Sequence, residues 1–207
     1  MKKITIIDYG CGNLLSIKRG LEKIGFNSEI SDDESTILDS THLILPGVGA
    51  FGNAMSLLRK KNLEKTIIEY SINRRKPLLG ICLGMQLLLS KSYEFGEYNG
   101  LNMISGEVKN INEVSNKELK VPNIGWNEIT IEKNNDLFKS FDNKSFYFVH
   151  SFISLTNKKT DTAAYCKYFN LPIPSIIQKD KIIGCQFHPE KSGENGLKFL
   201  KMFCDLN

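Results

Sequence analysis

The sequence predicts an α/β fold: a three-layer open sheet with parallel core strands flanked by helices, plus antiparallel strands in the C-terminal half. Three observations carry that prediction. Short apolar runs alternate with helical periodicity through the first hundred residues, the pattern of strands buried on both faces of a parallel sheet. After about Gly106 the texture changes to closely spaced short strands with turn residues between them. The chain has 207 residues, enough for one self-sufficient core, so residues 1–207 are expected to form a single domain.

Taken in order, Ile4–Ile7 is a β-branched strand. Leu14, Ile17, Leu21 and Ile24 recur at steps of 3, 4 and 3 and stop at Gly25, which reads as a helix with a glycine end. A polar strand around Asn27–Ser31 and an apolar one at His42–Leu45 follow. Helical stretches at about Asn53–Arg59 and Leu63–Arg75 precede the buried run Pro77–Ile81. Beyond Gly106, strands are expected at Glu107–Ile111, Glu128–Glu132, Phe146–Val149, Thr162–Tyr168, Ser175–Gln178 and Ile182–Phe187, as antiparallel additions and returns to the sheet. Leu197, Leu200 and Cys204 mark a closing amphipathic helix. In an open sheet of this kind the chemistry sits at the carboxyl ends of the parallel strands.

Composition excludes several classes of function. Lysine and arginine total 27 against 23 acidic residues, a net charge of 27 − 23 = +4, and the lysines form no stripe, so no nucleic-acid partner is expected. No run approaches the ~18–20 apolar residues of a membrane span, and Asp8 ends the opening apolar run too early for a signal sequence. A cytoplasmic location and no membrane partner are expected. Cysteines 11, 82, 166, 185 and 204 are odd in number and lack a Cys-x-x-Cys pair, so each reads as a buried hydrophobe or a functional thiol. Histidines 42, 150 and 188 are too few and too scattered for a multi-histidine metal site, so neither metal nor cofactor is expected.

The strongest motif is Gly80-Ile81-Cys82-Leu83-Gly84, between an apolar strand and a helix beginning near Met85. This is the arrangement of a nucleophile elbow, with cysteine in place of serine. Glycines flank the turn because strand and helix backbones approach too closely for a Cβ. The thiol projects at a helix N-terminus, whose partial positive charge favours a thiolate, and the Leu83 N–H is placed to meet a developing oxyanion. Composition alone gives Gly-x-Cys-x-Gly about 0.03 times in such a chain, so the pattern is unlike chance.

A thiol nucleophile needs a base, and the base an orienting group. Phe187-His188-Pro189-Glu190 supplies both: Pro189 biases His188 to an extended conformation, and residues i and i+2 then share a face. His150 is the rival base, but Ser151 and Phe152 beside it offer no carboxylate, so it reads as a hydrogen-bonded loop residue; His42 reads as structural. Pro46-Gly47-Val48-Gly49 lacks the Lys-Ser/Thr of a phosphate loop, and suits backbone donation to an oxyanion, with Gly47 and Gly49 leaving its peptides free to turn over.

Together, and in this order, these segments resemble the class I (triad) glutamine amidotransferase family across essentially the whole chain. Further elements, Asp8-Tyr9-Gly10-Cys11-Gly12-Asn13, Gly125-Trp126-Asn127, Tyr147–Phe152 and Lys191, are similar to one branch of that family. Its glutaminases feed ammonia to a (βα)8-barrel cyclase that forms imidazole glycerol phosphate and an aminoimidazole carboxamide ribotide in histidine biosynthesis. The resemblance implies that Cys82 attacks the side-chain amide of L-glutamine, His188 shuttles protons and Glu190 orients His188. It implies oxyanion donors at Val48 and Leu83, and substrate contacts from Gln86, Glu94 and the backbone at Ser151 and Phe152. It also implies a heterodimer interface at Tyr147, Trp126, Asn127 and Lys191.

Two departures stand out. Asn123-Ile124 replaces the branch's usual His-Met, and Phe152 its usual Tyr. A sister group of glutaminases feeding amidotransfer in bacterial surface-sugar synthesis diverges at such places, so that pathway is the alternative. Two other readings fit less well: a catalytically silent regulatory subunit would need a broken triad, and a stand-alone cysteine hydrolase has no need of Gly125-Trp126-Asn127 and Lys191.

Overall fold

Strand β1 (Ile4–Ile7) leads to helix α1 (Leu14–Lys23), then β2 (Ser28–Ser31), α2 (Glu34–Asp39), β3 (His42–Leu45), α3 (Phe51–Lys60), α4 (Leu63–Ile68), β4 (Leu78–Ile81) and α5 (Leu83–Leu87). The second half runs β5 (Lys91–Ser92), β6 (Tyr98–Asn99), β7 (Gly106–Asn110), α6 (Ile111–Ser115), β8 (Asn123–Ile131), β9 (Lys144–His150) and β10 (Phe152–Thr156). It closes with β11 (Thr162–Tyr168), β12 (Leu171–Lys179), β13 (Ile182–Cys185) and α7 (Gly193–Asp205). The computed structural model describes residues 2–132 and 135–207.

Nine strands form one sheet in the order β2-β1-β3-β4-β13-β12-β11-β8-β9. From β2 to β13 every pairing is parallel; from β13 to β9 every pairing is antiparallel. Alternation along the strands builds a core on each face. Ile4, Ile6, Ile44, Leu79 and Ile81 pack with Ile17, Leu21, Phe199 and Leu200 of α1 and α7. Ile7, Leu43, Leu45 and Leu78 pack with Met55, Leu58 and Ile67 of α3 and α4. The result is the expected three-layer α/β arrangement.

The details differ at several points. The strand expected at Glu107–Ile111 does not join the main sheet; β7 pairs with β10 and β5 in a second, four-stranded sheet ordered β10-β7-β5-β6. Helices α2 and α6 and strands β5, β6 and β10 have no counterpart in the expected elements, although Asp33 caps α2 by accepting the Thr36 N–H at 2.7 Å. The stretch expected as one helix over Leu63–Arg75 is α4 followed by a π-turn, Glu69–Asn73.

The parallel half fixes the position of the site. Tyr9, Gly47, Cys82 and Gln186 each follow the carboxyl end of a parallel strand, β1, β3, β4 and β13, so four connections converge on one edge of the sheet. Gly84 is obligatory there: a Cβ on it would lie 1.9 Å from the Leu45 carbonyl oxygen at the end of β3. Gly80 is equally enclosed, with the Gly84 carbonyl 2.7 Å from where its Cβ would stand.

Candidate active site

Cys82 sits at φ +54°, ψ −108°, outside the regions that non-glycine residues ordinarily occupy. The turn is held from both sides. The Cys82 N–H donates to the Cys185 carbonyl at 2.8 Å, and the Cys82 carbonyl accepts from the Gln86 N–H at 3.3 Å. Leu83 is the first residue of α5, so its N–H has no carbonyl further back in the helix to pair with. The thiol points to the Val149 carbonyl at 3.9 Å and also lies 3.7 Å from Gln186 Nε2.

His188 and Glu190 are brought together differently from the extended face-sharing expected. His188 is extended, at φ −98°, ψ 96°, but Pro189 starts a single 3-10 turn through Lys191. That turn swings the Glu190 carboxylate back so that Oε1 accepts the His188 Nδ1 proton at 2.8 Å, with both side chains buried. Ser192 fixes the loop: its hydroxyl donates to the His188 carbonyl at 2.6 Å and accepts the Tyr147 N–H at 2.9 Å. Burial of the His188 ring works against its charge, but the Cys82 sulfur and the Glu190 carboxylate outweigh burial and move it up to about 10. Glu190 Oε2 is buried without a hydrogen-bond partner among the described residues.

A cavity of about 450 Å³ is lined by Val48, Gly49, Cys82, Leu83, Gln86, Glu94, Phe95, Pro122, Val149, His150, Ser151, Phe152 and His188. Every residue read from the sequence as nucleophile, base or substrate contact therefore lies on one wall or another of it. A larger hollow of about 610 Å³, among Ser71, Arg75, Lys179 and Lys181, lies at the amino ends of β4 and β13 and has neither cysteine nor histidine in its lining. Gly47 lies behind the cavity wall, where a Cβ would stand 2.8 Å from the Leu83 Cβ. Gly49, at φ +94° with nothing within 4 Å of a would-be Cβ, is the free end of that loop. The Glu94 carboxylate accepts the Phe51 N–H at 2.7 Å, at the first turn of α3. Burial pushes its carboxyl pKa up, and the Phe51 bond opposes that.

His150 is buried and hydrogen-bonded, as expected, but it is the last residue of β9, paired with Asn123 of β8, and not a loop residue. Its Nδ1–H donates to the Phe152 carbonyl at 2.9 Å, and Nε2 accepts from Asn123 Nδ2 at 3.1 Å. Burial lowers its pKa to about 4. The folded state thus refuses a proton that the unfolded chain takes up below about 6.5, so stability is complete above that pH and falls toward pH 4. The loss from this residue amounts to about 3 kcal/mol. Urea unfolding of a His150→Gln variant is expected to fall less steeply between pH 6.5 and 4 than that of the unaltered chain; identical slopes would contradict the assignment. His42 is structural, with Nε2 donating to the Leu206 carbonyl at 3.1 Å and its ring edge-on to Phe203.

Of the four interface candidates, Trp126 and Lys191 are exposed while Tyr147 and Asn127 are half-buried. Trp126 packs on Tyr147 with centroids 6.2 Å apart, and Lys191 Nζ stands 6.0 Å from the Tyr147 ring. Asn127 turns inward, donating to Asn123 Oδ1 at 3.2 Å. Exposed Ile124 extends this apolar surface beside Trp126.

Comparison with known proteins accords with this geometry. The family model described as glutamine amidotransferase class-I matches residues 5–206. The chain belongs to the class I glutamine amidotransferase family. Among curated members it is 47% identical over 208 residues to the imidazole glycerol phosphate synthase subunit HisH of Methanosarcina barkeri, covering the whole of both chains. It is 44% identical to the subunit of the same name from Caldanaerobacter subterraneus, covering 98% of each. The same fold appears in a crystal structure of a glutamine amidotransferase, with TM-score 0.74, 16% identity and coverage of 97% of this chain and 98% of that one. It appears again in PurLQS from Thermotoga maritima, with TM-score 0.70, 19% identity and coverage of 98% and 97%. No helix among the described residues of this family member is long and apolar enough to cross a membrane.

Sequence reading passed over several residues of the site. Gln186, the Val149 carbonyl, Pro122 and Phe95 have no site role in the sequence expectations, and Asn123 enters them only as a departure from the branch, not as a site residue. Only Gln186 carried a usable signal: a polar residue inside the apolar run Ile182–Phe187 needs a buried partner.

Proposed function

We propose that the chain hydrolyses L-glutamine to glutamate and ammonia through Cys82, His188 and Glu190. It passes the ammonia to a (βα)8-barrel cyclase subunit, with which it forms a heterodimer in the histidine-biosynthetic synthesis of imidazole glycerol phosphate. One observation carries this reading: a cysteine on a strained elbow shares a cavity with a histidine whose other ring nitrogen is held by a buried carboxylate at 2.8 Å. The full-length identity to imidazole glycerol phosphate synthase subunits supports the pathway.

The Cys82 sulfur attacks the δ-carbonyl carbon of glutamine. Val48 and Leu83 N–H groups receive the oxyanion. The C–N bond then breaks as the His188 imidazolium gives its proton to the departing nitrogen, releasing ammonia and leaving a γ-glutamyl thioester. Water, deprotonated by His188, attacks the thioester carbon and frees glutamate and the thiolate. Glu94, through the oxygen not bonded to Phe51, and Gln86 hold the amino-acid end, with Ser151 and Phe152 backbone beside them. Both Gln86 amide protons are committed, to Phe152 O and Gln186 Oε1 at 3.2 Å each, so its Oε1 is the atom left for a substrate ammonium. Tyr147, Trp126, Asn127 and Lys191 lie at the partner face. No cofactor enters.

The Gly47-Val48-Gly49 loop makes this activity conditional. Val48 stands between two glycines, Gly49 at φ +94° with nothing near it, so the Gly47–Val48 peptide, which carries the Val48 N–H, can present either its carbonyl or that N–H to the cavity. One missing oxyanion donor costs roughly 10²–10³ in rate. The expected result is that liganded cyclase stimulates glutamate release at least ~100-fold, a comparison of steady-state rates with and without the partner. A free chain as fast as the complex would contradict it.

Ile124, exposed beside Trp126 where the branch carries methionine, keeps a second reading open: the same glutaminase chemistry feeding surface-sugar amidotransfer. The two separate in one assay. Glutamine-driven formation of imidazole glycerol phosphate with the cyclase supports the first; a cyclase that works with ammonium salts but never with this chain and glutamine supports the second.

A further inference from the structure

Gln186 is fully buried at the end of β13, inside an otherwise apolar run, where an amide without partners would be strongly unfavourable. Both ends of its side chain have partners, and both partners belong to the site. Oε1 accepts from Gln86 Nε2 at 3.2 Å, and Nε2 donates to the Cys82 sulfur at 3.7 Å. Gln86 Nε2 in turn donates to the Phe152 carbonyl, which also accepts from His150 Nδ1 at 2.9 Å.

We propose that Gln186 is a positioning residue: its amide N–H holds the Cys82 sulfur as a thiolate, and its oxygen fixes the Gln86 amide that faces the substrate. The proposal deepens the glutaminase reading and rests on it for the role of Gln86, but the sulfur contact stands on the geometry alone. Beside His188, Sγ has two further partners of opposite character. A protonated thiol donates to the Val149 carbonyl, 3.9 Å away; a thiolate cannot, and gains from the Gln186 N–H instead. Gln186 thus discriminates between the two forms of the nucleophile, whereas methionine of similar length would fill the space and favour neither. The other titratable groups around the sulfur are His188 and Glu190 after β13, Cys185 on β13, Tyr9 after β1, His150 on β9, and Glu94 across the cavity. All remain in the variants below.

The test measures alkylation of Cys82 by iodoacetamide from pH 6 to 10 in the full chain, with the modified residue identified by mass spectrometry. In Gln186→Met the rate at pH 7 is expected to fall about tenfold, with the difference from the unaltered chain closing as pH rises. Gln186→Glu falls further, because a carboxylate beside the sulfur opposes the thiolate. With the cyclase present, KM for glutamine rises in Gln186→Met because Gln86 loses its acceptor. A purely structural role would leave the pH dependence of alkylation unmoved, and that result overturns the proposal. Should the variants not fold, the unaltered chain still decides: the Gln186 side-chain amide proton resonances shift when Cys82 is alkylated, and unmoved signals overturn the contact. If the unaltered complex releases no glutamate while the alkylation profiles differ, the glutaminase reading fails and the positioning of the sulfur stands.

Discussion

Replacing Cys82 with alanine is expected to lower glutamine-driven product formation by the complex at least ~10⁴-fold, while ammonium salts still support the cyclase reaction. The two halves of that result follow from one feature. The sulfur is the atom that forms the thioester, and nothing else at the elbow can replace it: Cys82 occupies a backbone conformation that only this turn imposes, with Gly80 and Gly84 packed backbone to backbone around it. The side chain itself is small and lies at the cavity wall, so its removal leaves the partner face of Trp126, Tyr147 and Lys191 intact. Cys82→Ser should be nearly as severe, because a hydroxyl lacks the thiolate's reactivity. Steady-state assays with glutamine and with ammonium chloride measure both arms. Co-elution of the variant with the cyclase excludes a folding or docking defect; loss of the ammonium-driven reaction as well would show an impaired cyclase instead.

The second large effect separates the base from the group that orients it. His188→Ala should reduce glutamine turnover by about 10³-fold or more, since both proton transfers go through this imidazole. Glu190→Gln keeps the shape and a hydrogen bond at Nδ1 but loses the charge, and should cost less, about 10²-fold. The pH profile adds a direction. Glu190 and the sulfur hold the imidazolium up to about 10 against the burial that lowers it. With the charge of Glu190 gone, the alkaline limb of the rate should move to lower pH. The same pair contributes to stability: the folded value lies above the ordinary 6.5, so the contribution is complete below pH 6.5 and drains away as pH rises toward 10. Equal activity of Glu190→Gln and the unaltered protein would remove Glu190 from the account.

The parallel half of the fold was legible because its strands are buried on both faces and read as unbroken apolar runs, Ile4–Ile7 and His42–Leu45 most plainly. The second sheet was not, because β5 and β6 are two residues each and β7 finds its partner β10 only through long-range pairing. The elbow, the His-Pro-Glu segment and the glycine loop were visible as local patterns, since each depends on neighbours in the chain. Gln86 and Glu94 came from family resemblance, and the contacts that place them, Gln186 and the first turn of α3, are made across the fold. Asn123 and Phe95 belong to the same class, joining the site through β8 pairing with β9 and through Phe95 packing on Phe152 at 6.2 Å. No sequence spacing records such encounters.

Five cysteines allow a direct test of the nucleophile. Burial raises the thiol pKa of Cys11, Cys166, Cys185 and Cys204, so these four stay protonated near neutral pH. The decisive measurement is mass-spectrometric mapping of the chain, in complex with the liganded cyclase, after exposure to an electrophilic ketone analogue of glutamine. The account predicts one adduct, on Cys82, formed in step with loss of glutamine hydrolysis and prevented by excess glutamine. Labelling of Cys11 or Cys185 with Cys82 untouched would contradict it.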